Sequence, residues 1–490
     1  MAVSIQIKDA INICVLSSLI KCLTLNAKLY YSTDFEVHRN WLALTHSLPF
    51  SEWYKDSRNM WTLDYPPFFA YFELMLSWIA KLFDPEMLNP DQVNYASFPT
   101  IVFQRLSVIL ISDGFLALGT YMILPPGQRT KGLLLALFSS SLFIVDHIHF
   151  QYNGMLIGIL LMSAYLVQRG SFYSGAIVYM ILIFMKHIFL FCAPVYLIYF
   201  FRHFVLASRT TLRDQLTRLV MLVSVIAAVA SAAVYPLIHT NQFFAALQRM
   251  FPFGRGLTHS YWAPNCWAIY SFIDRLSGVV AGIKASPGTS SSTSGIVGVT
   301  EMLILPNITP TVTFAATFIC FCPLMRSIWR DKKRDTPFIT WVGLGCAVAF
   351  ALGWHIHEKG ILMILLPILI GKLLRNGDAS AEWKLSVVAC ASLFPLLPRS
   401  DETPLKWLLF LSGLLLESLV LEIDIPSHNR TLLLAVLPEM FRVSLHPILF
   451  GNSRLEFLPL MLNSVVSALL ILHILYQIYI DTLQRNLKAE

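Results

Sequence analysis

Residues 31–67 read YSTDFEVHRNWLALTHSLPFSEWYKDSRNMWTLDYPP. This polar stretch follows directly on an apolar segment. It gathers acids, bases and the aromatic side chains Trp41, Trp53, Tyr54, Trp61 and Tyr65. Nearly everything after it is apolar. A polar stretch of this make-up in such a chain marks one face of a membrane protein as the place for chemistry.

The 490 residues are 56% hydrophobic and only 13% charged, against nearer 45–50% and about 25% in soluble domains. The excess lies in runs of about 15–25 residues, the length of a membrane helix. A soluble α/β enzyme is excluded, and the expectation is an all-α polytopic membrane protein forming one domain, residues 1–490. About fourteen candidate spans fit a yardstick of roughly 20 residues. They lie near 9–28, 101–124, 132–146, 154–168, 172–186, 188–201, 219–238, 311–329, 337–352, 360–374, 386–398, 405–422, 431–450 and 457–480. The segment 67–83 is apolar but carries Glu73 and Lys81; it suits an amphipathic helix in the interface. The first apolar run has no small-residue cleavage site and reads as a retained helix.

The net charge of +7 is modest and concentrated in short loops, which suits membrane topology rather than nucleic acid. Cys14, Cys192, Cys320, Cys346 and Cys390 lie inside apolar runs, as small core residues and not as a disulfide frame or zinc site. Basic residues mark one side of the membrane: Arg129 and Lys131, Arg202 to Arg218, Arg326 to Arg334, Lys372 and Arg375, and the tail with Arg485 and Lys488. That side, with both termini, is expected to be cytosolic. The stretches 31–67, 146–153 (DHIHFQYN), 251–267 (FPFGRGLTHSYWAPNCW) and 355–359 (HIHEK) then share the opposite face. Residues 31–100 form a catalytic loop with interfacial helices. Residues 239–310 form a second loop, with a Ser/Thr/Gly-rich part at 285–300.

Each polar residue has a structural and a chemical reading. Thr33 and Glu36 match a capping box. Asp34 then lies in the first turn, where the helix dipole stabilises a carboxylate. Its chemical reading is a general base that takes the proton from an acceptor hydroxyl during inverting sugar transfer. His38 shares a helix face with Asp34, as a partner or as an interfacial side chain. Asp64 precedes Tyr65-Pro66-Pro67 and reads first as the cap of the following helix. The aromatic residues are sugar platforms or an interfacial belt. Asp146 and His149, spaced i,i+3, can face one way on a regular helix, whereas His147 cannot join them. Ionisable residues at a membrane boundary are functional candidates, unless they merely snorkel. His357 and Lys359 can supply charge to a leaving phosphate, although Glu358-Lys359 also reads as a plain ion pair. Arg255 and Lys186-His187 are further phosphate or sugar candidates. A glycine-rich phosphate loop and a metal-binding DxD pair are both absent, which favours a lipid-borne sugar donor over a nucleotide sugar.

STDFEVHRNWLALTHSLPFSEWY, WTLDYPPFFAYFE, VDHIHFQYNG, FPFGRGL and GWHIHEKGIL together resemble the dolichyl-phosphate-glucose glucosyltransferases of asparagine-linked glycosylation. The resemblance runs from about residue 31 to 365; beyond it the chain matches only in being membrane helices. STDFEVHRNW, VDHIHFQYNG and GLTHSYWAPN look more like the branch that adds the second glucose. The first-glucose branch carries an acidic pair in place of Thr258-His259-Ser260, where acceptor recognition can differ. The resemblance implies a GT-C fold in the endoplasmic reticulum membrane, with luminal loops carrying the active site. It implies dolichyl-phosphate-glucose as donor and a monoglucosylated nine-mannose glycan on dolichyl pyrophosphate as acceptor. A β-linked donor and an α-1,3 product imply one inverting displacement. Asp34 falls on the family's general base and His357 on its donor-phosphate histidine, with Lys359 and Arg255 beside that role. Glu36, His38, Asp64, Tyr65, Asp146, His149, Gln151, His259, Tyr261, Trp262 and Asn265 are the substrate-binding candidates. No metal and no cofactor are expected.

Two alternatives remain at the level of sequence. One is the sister enzyme adding the first glucose, with the same base and donor. The other is a transporter or lipid scramblase, which also carries intramembrane charges. Its charges would lie at mid-membrane and its halves would repeat; here they cluster at span ends, and no repeat is visible.

Overall fold

The computed structural model describes residues 2–26, 31–207, 210–251, 254–259, 261–283, 302–451 and 454–488. The stretch 285–300 and Ser260 lie outside the described residues. Among the described residues the regular structure is helical, with no strand. The helices fall into two compact units, Met1–Pro252 and Phe253–Glu490.

The first unit opens with α1 (Ala2–Cys22), α2 (Thr33–Ser47) and α3 (Pro67–Phe83). Helix α4 (Phe98–Ser107) runs through a π-helical turn, Val108–Ser112, into α5 (Asp113–Ile123). Helices α6 (Arg129–Leu137) and α7 (Ser140–Leu142) run into a second π-helical segment, Phe143–Ile148. Then follow α8 (Asn153–Gln168), α9 (Phe172–Met185), α10 (Ala193–Phe200), α11 (Leu212–His239) and α12 (Phe243–Met250). The second unit holds α13 (Cys266–Val280), α14 (Pro310–Arg330), α15 (Phe338–Leu352), α16 (Leu362–Arg375) and α17 (Ser380–Ser392). It ends with α18 (Thr403–Leu421), α19 (Asn429–Met440), α20 (His446–Phe450) and α21 (Leu458–Lys488).

The expected spans fall largely on helix. Among the described residues, eight helical segments are long and apolar enough to cross a membrane, and α8, α9 and α15 are shorter apolar helices. The outer surface is what a lipid solvent demands. Helix α11 has a mean hydropathy of 2.2 over its most apolar stretch, yet Val220, Val223 and Tyr235 are exposed. Phe314 and Phe318 on α14 and Leu415 and Leu419 on α18 are exposed as well. Contiguous apolar exposure of this extent is rare on a protein surrounded by water. The eight cysteines are free thiols. Cys192, Cys346 and Cys390 are the small core residues expected, whereas Cys14 is only partly buried and Cys320 is exposed on α14, which corrects that reading for these two.

Close packing in the first unit depends on small residues. A Cβ on Gly119 of α5 would lie 2.3 Å from the Gly158 carbonyl oxygen of α8, and one on Gly158 would lie 2.3 Å from the Phe115 oxygen. The two backbones therefore touch, as membrane helices do where glycines face each other. This contact sets α8, and with it the turn before α8, firmly against α5.

Three local readings are corrected. The N-cap of α2 is Ser32, not Thr33: its hydroxyl accepts from the Phe35 amide at 3.1 Å. Glu36 does not reach back to the cap. It takes both arms of Arg39, at 2.8 and 2.9 Å, and Arg39 also donates to the carbonyls of Met87, Asn89 and Gln92. A buried guanidinium needs this many acceptors, and it holds the loop after α3 against α2. Finally, α3 starts on Pro66 with no side-chain cap, so Asp64 does not cap it. Proline at the helix start lacks the N–H that a cap would satisfy.

The aromatic residues of 31–67 divide. Trp41, Trp53 and Tyr54 are buried core, neither belt nor platform. Their polar atoms bond the backbone: Trp41 Nε1 to Thr62 O, Trp53 Nε1 to Leu48 O and Tyr54 Oη to Tyr65 O. Trp61 and Tyr65 stay partly exposed. Helix α3 buries Phe69, Phe72, Glu73, Leu76 and Ala80 and turns Met75, Trp78, Ile79 and Leu82 outward.

Candidate active site

In the first unit the chemistry gathers where α2 begins and where the second π-helical segment ends. Asp34 sits in the first turn of α2, and its side chain is 21% exposed. Gln151 Nε2 donates to Asp34 Oδ2 at 2.5 Å, and His149 Nε2 lies 3.5 Å from the same oxygen. The Ser32 hydroxyl donates to the His149 carbonyl, and Gln104 Nε2 donates to the Phe35 carbonyl at 3.0 Å. Two stretches more than a hundred residues apart are thus joined around one carboxylate.

The π-helical geometry explains how. His149 N bonds Ile144 O at 2.9 Å, and Gln151 N bonds Asp146 O at 3.3 Å; both are i→i+5 closures. Such widened turns recur at functional sites because they rotate the side chains that follow. Phe150 then takes a positive φ of 78°, and the chain re-enters helix at Asn153. Asp146 and His149 therefore do not face one way. His149 turns to Asp34. Asp146 accepts from Asn153 Nδ2 at 2.8 Å, the Gly154 amide at 2.7 Å and the Ser112 hydroxyl at 3.2 Å. A Cβ at Gly154 would meet the Ser112 Oγ at 2.7 Å, so glycine is needed for this close approach. His147 takes a third direction, to Asp113 Oδ1 at 3.2 Å, and Lys21 binds Asp113 Oδ2 at 2.7 Å.

His38 is not the partner of Asp34. Its Nδ1 lies 2.7 Å from Glu73 Oε1, with both side chains buried. The rings of Trp41, Phe69, Phe150 and Tyr152 pack around it at centroid distances between 5.0 and 5.6 Å. The pair fastens α2 to α3 beneath the first turn. Lys186, the residue after α9, donates to Asn153 Oδ1 at 3.0 Å and lies 5.1 Å from the centre of the Tyr65 ring.

In the second unit a separate cluster joins residues 255–265 to residues 353–359. His355 adopts a positive φ of 51°; its amide bonds Leu257 O at 3.0 Å, and its Nδ1 lies 2.7 Å from Gly256 O. Burial pushes its imidazole below the ordinary histidine range; the Gly256 carbonyl opposes that, and the nearby Arg255 charge adds to it. His259 and His357 lie face to face, ring centroids 4.0 Å apart and planes 34° apart. His259 Nδ1 is 3.7 Å from Glu358 Oε2. Two imidazolium charges 4.0 Å apart would repel by about 4 kcal/mol at an effective dielectric constant of about 20. The pair tolerates one positive charge more readily than two. His259, His357 and Glu358 each bring one ligand-type atom to within 4.8 Å of the others.

The model of the ALG6, ALG8 glycosyltransferase family matches residues 15–478. The chain belongs to this family. It is 40% identical over 473 residues to a protein of Drosophila melanogaster named probable dolichyl pyrophosphate Glc1Man9GlcNAc2 alpha-1,3-glucosyltransferase, covering 93% of this chain and 91% of that one. Proteins of Arabidopsis thaliana and Mus musculus, bearing that name without "probable", are each 40% identical, over 465 and 417 residues. The alignments cover 88% and 80% of this chain and 90% and 79% of those proteins. Membership in a glycosyltransferase family sets aside the transporter reading.

For this member of the ALG6, ALG8 family, the candidates separate by position. Asp34, His149 and Gln151 come together; Asp146 joins them through Asn153. Tyr65 stands beside Lys186, and its phenol is held well above its ordinary range, first by burial and then by the carboxylates of Asp64, Asp34, Asp146 and Glu73. Asp64 is half-buried. Glu36 and His38 are occupied by Arg39 and Glu73. His259 joins His357 and Glu358, and Tyr261 stacks on His259 at 6.2 Å. Burial, followed by Glu358, raises the Tyr261 phenol. Trp262 is 3% exposed and packs with Ala268 and Ala468, which makes it core. Asn265 caps α13 through the Trp267 amide and donates to Phe350 O at 3.0 Å, so its amide is engaged at both ends. Lys359 and Arg255 are partly exposed. Asn153 and Ser112 were not singled out from sequence. The available signal was the polar Asn153-Gly154 step directly after the DHIHFQY block.

Proposed function

We propose that this chain transfers glucose from dolichyl-phosphate-glucose to the monoglucosylated nine-mannose glycan on dolichyl pyrophosphate, forming an α-1,3 linkage with inversion. The observation that carries the reading is the partly buried Asp34 carboxylate, oriented by Gln151 and His149 at the start of α2. The printed names of the relatives supply the acceptor and the linkage. The acceptor hydroxyl oxygen attacks the anomeric carbon and its proton passes to Asp34. The bond from that carbon to the phosphate oxygen breaks, and the electron pair leaves with dolichyl phosphate. One carboxylate base suffices for a single displacement. His357 and Lys359, with Arg255, supply positive charge or a hydrogen bond to the departing phosphate. A singly esterified phosphate carries little enough charge for protein groups to stabilise, so the reaction uses neither metal nor cofactor.

The same reading gives the chain a GT-C fold with about fourteen membrane crossings, where three or more helices are shorter than the roughly 20 residues a perpendicular span needs. It places the protein in the endoplasmic reticulum membrane with the active site toward the lumen and both termini in the cytosol. The basic loops support this orientation.

The test is a transfer assay with purified protein, a dolichyl-phosphate-glucose analogue and two acceptors, the nine-mannose glycan lipid with no glucose and with one. Transfer only to the monoglucosylated acceptor is expected. Transfer only to the unglucosylated one would make this the sister enzyme. Protease protection of tagged termini in sealed microsomes tests the orientation.

A further inference from the structure

A line of four side chains in the first unit has a direction. Lys186 Nζ donates to Asn153 Oδ1 at 3.0 Å. Asn153 Nδ2 donates to Gln151 Oε1 at 2.8 Å and to Asp146 Oδ1 at 2.8 Å. Gln151 Nε2 donates to Asp34 Oδ2 at 2.5 Å. An ammonium group only donates, and a carboxylate only accepts. An amide does both and can be turned end for end, so its orientation is set by what stands on either side. Asn153 has a donor at its oxygen and the Asp146 carboxylate at its nitrogen, so its amide has one favourable orientation. Its remaining hydrogen then meets Gln151 Oε1, which turns the Gln151 nitrogen to Asp34. The reversed Gln151 amide would set a carbonyl oxygen against the carboxylate.

We propose that Asn153, clamped between Lys186 and Asp146, is a positioning residue that turns the Gln151 amide onto the catalytic base Asp34. This rests on the reading of Asp34 as base. Gln151 and His149 both approach the same carboxylate oxygen, Oδ2. Other titratable groups face this carboxylate too. His149 comes from the turn before α8, and Tyr65, within electrostatic reach of Asp34, from the segment before α3. Glu73 of α3, paired with His38 of α2, lies behind them. Asp146 and Lys186 act through the amides.

The test is kinetic, on full-length purified protein with the donor analogue and monoglucosylated acceptor. Asn153→Asp keeps the shape and the Lys186 contact but removes the donor to both Gln151 and Asp146, so nothing holds the Gln151 amide in its orientation. Gln151→Met removes the amide. Each is expected to lower kcat about tenfold, with acceptor KM within about twofold, because the loss is felt in the transition state. The double variant falls no lower than the worse single, since the residues act in series. The acid limb of kcat against pH moves to higher pH, because a carboxylate stripped of a donor takes its proton more readily. A double variant equal to the product of the singles, or an unmoved acid limb, overturns the proposal. Should Asn153→Asp fail to fold, Lys186→Met tests the same line from its far end by the same criteria, and Lys186→Arg should restore most of the rate. Asp34→Asn separates the two claims. Retained transfer in that variant removes the base itself. A dead Asp34→Asn beside wild-type-like Asn153 and Lys186 variants removes only the positioning line.

Discussion

Gln151 donates a 2.5 Å hydrogen bond to Asp34 across 117 residues of sequence. The contact fixes the orientation of the carboxylate at the start of α2. Asp34→Asn should therefore abolish transfer while leaving insertion and thermal stability near wild type. Measuring both on the same detergent-solubilised sample checks it; transfer above about one hundredth of wild type is more than loss of a general base should leave.

The rings of His357 and His259 lie 4.0 Å apart, centre to centre, in the second unit. His357→Ala should raise the apparent KM for donor more than that for acceptor. His259→Ala should move the donor constant in the same direction, because its ring supports His357. An altered choice between acceptors with the donor constant unmoved would return residues 258–265 to acceptor recognition.

Asp64 leaves α3 uncapped. Asp64→Ala should therefore keep the helix and lose transfer rather than fold. Circular dichroism and a thermal midpoint beside the rate distinguish these; a large fall in helicity would restore the capping role.

Glu73 and His38 form a buried pair. Glu73→Ala leaves His38 in an aromatic cage without that partner, and an unsatisfied buried polar group costs about 1–3 kcal/mol. Glu73→Gln keeps a hydrogen bond and should lose clearly less. Thermal unfolding of the three proteins in one detergent decides the order.

Asp84 gives a pH prediction. Burial works to raise its carboxyl, but hydrogen bonds from Ser97, Thr100 and Tyr95 and from the Glu86 amide outweigh it, so the group lies below its ordinary range. A depressed folded value means the stabilisation is present above the unfolded aspartate value and lost as pH falls through the folded one. Residues 84–100 should thus exchange amide hydrogens faster once pH drops below the ordinary carboxylate range. Asp84→Asn should show that faster exchange at neutral pH, and little further change on acidification.

Sequence alone determined the class of this protein. Apolar runs of membrane length must become helices in lipid, where every backbone group needs a partner within its own segment. It also determined that Asp34 stands in a first helical turn, because caps and dipoles act over one turn and are written in neighbouring residues. Tertiary structure decided who partners whom. His38 shares a helix face with Asp34, yet Glu73 of α3 holds it. Asp146 and His149 have helical spacing, yet i→i+5 closures turn them apart. Glu36 looked like a cap and became the anchor of a buried arginine. The His38–Glu73 and Gln151–Asp34 contacts span 35 and 117 residues, a reach no local pattern has. Even the local Glu36–Arg39 pair is fixed by the carbonyls of Met87, Asn89 and Gln92 that take the rest of the guanidinium. A buried polar group takes the nearest partner that satisfies it, and nearness in the folded chain is set by helix packing such as the Gly119–Gly158 contact.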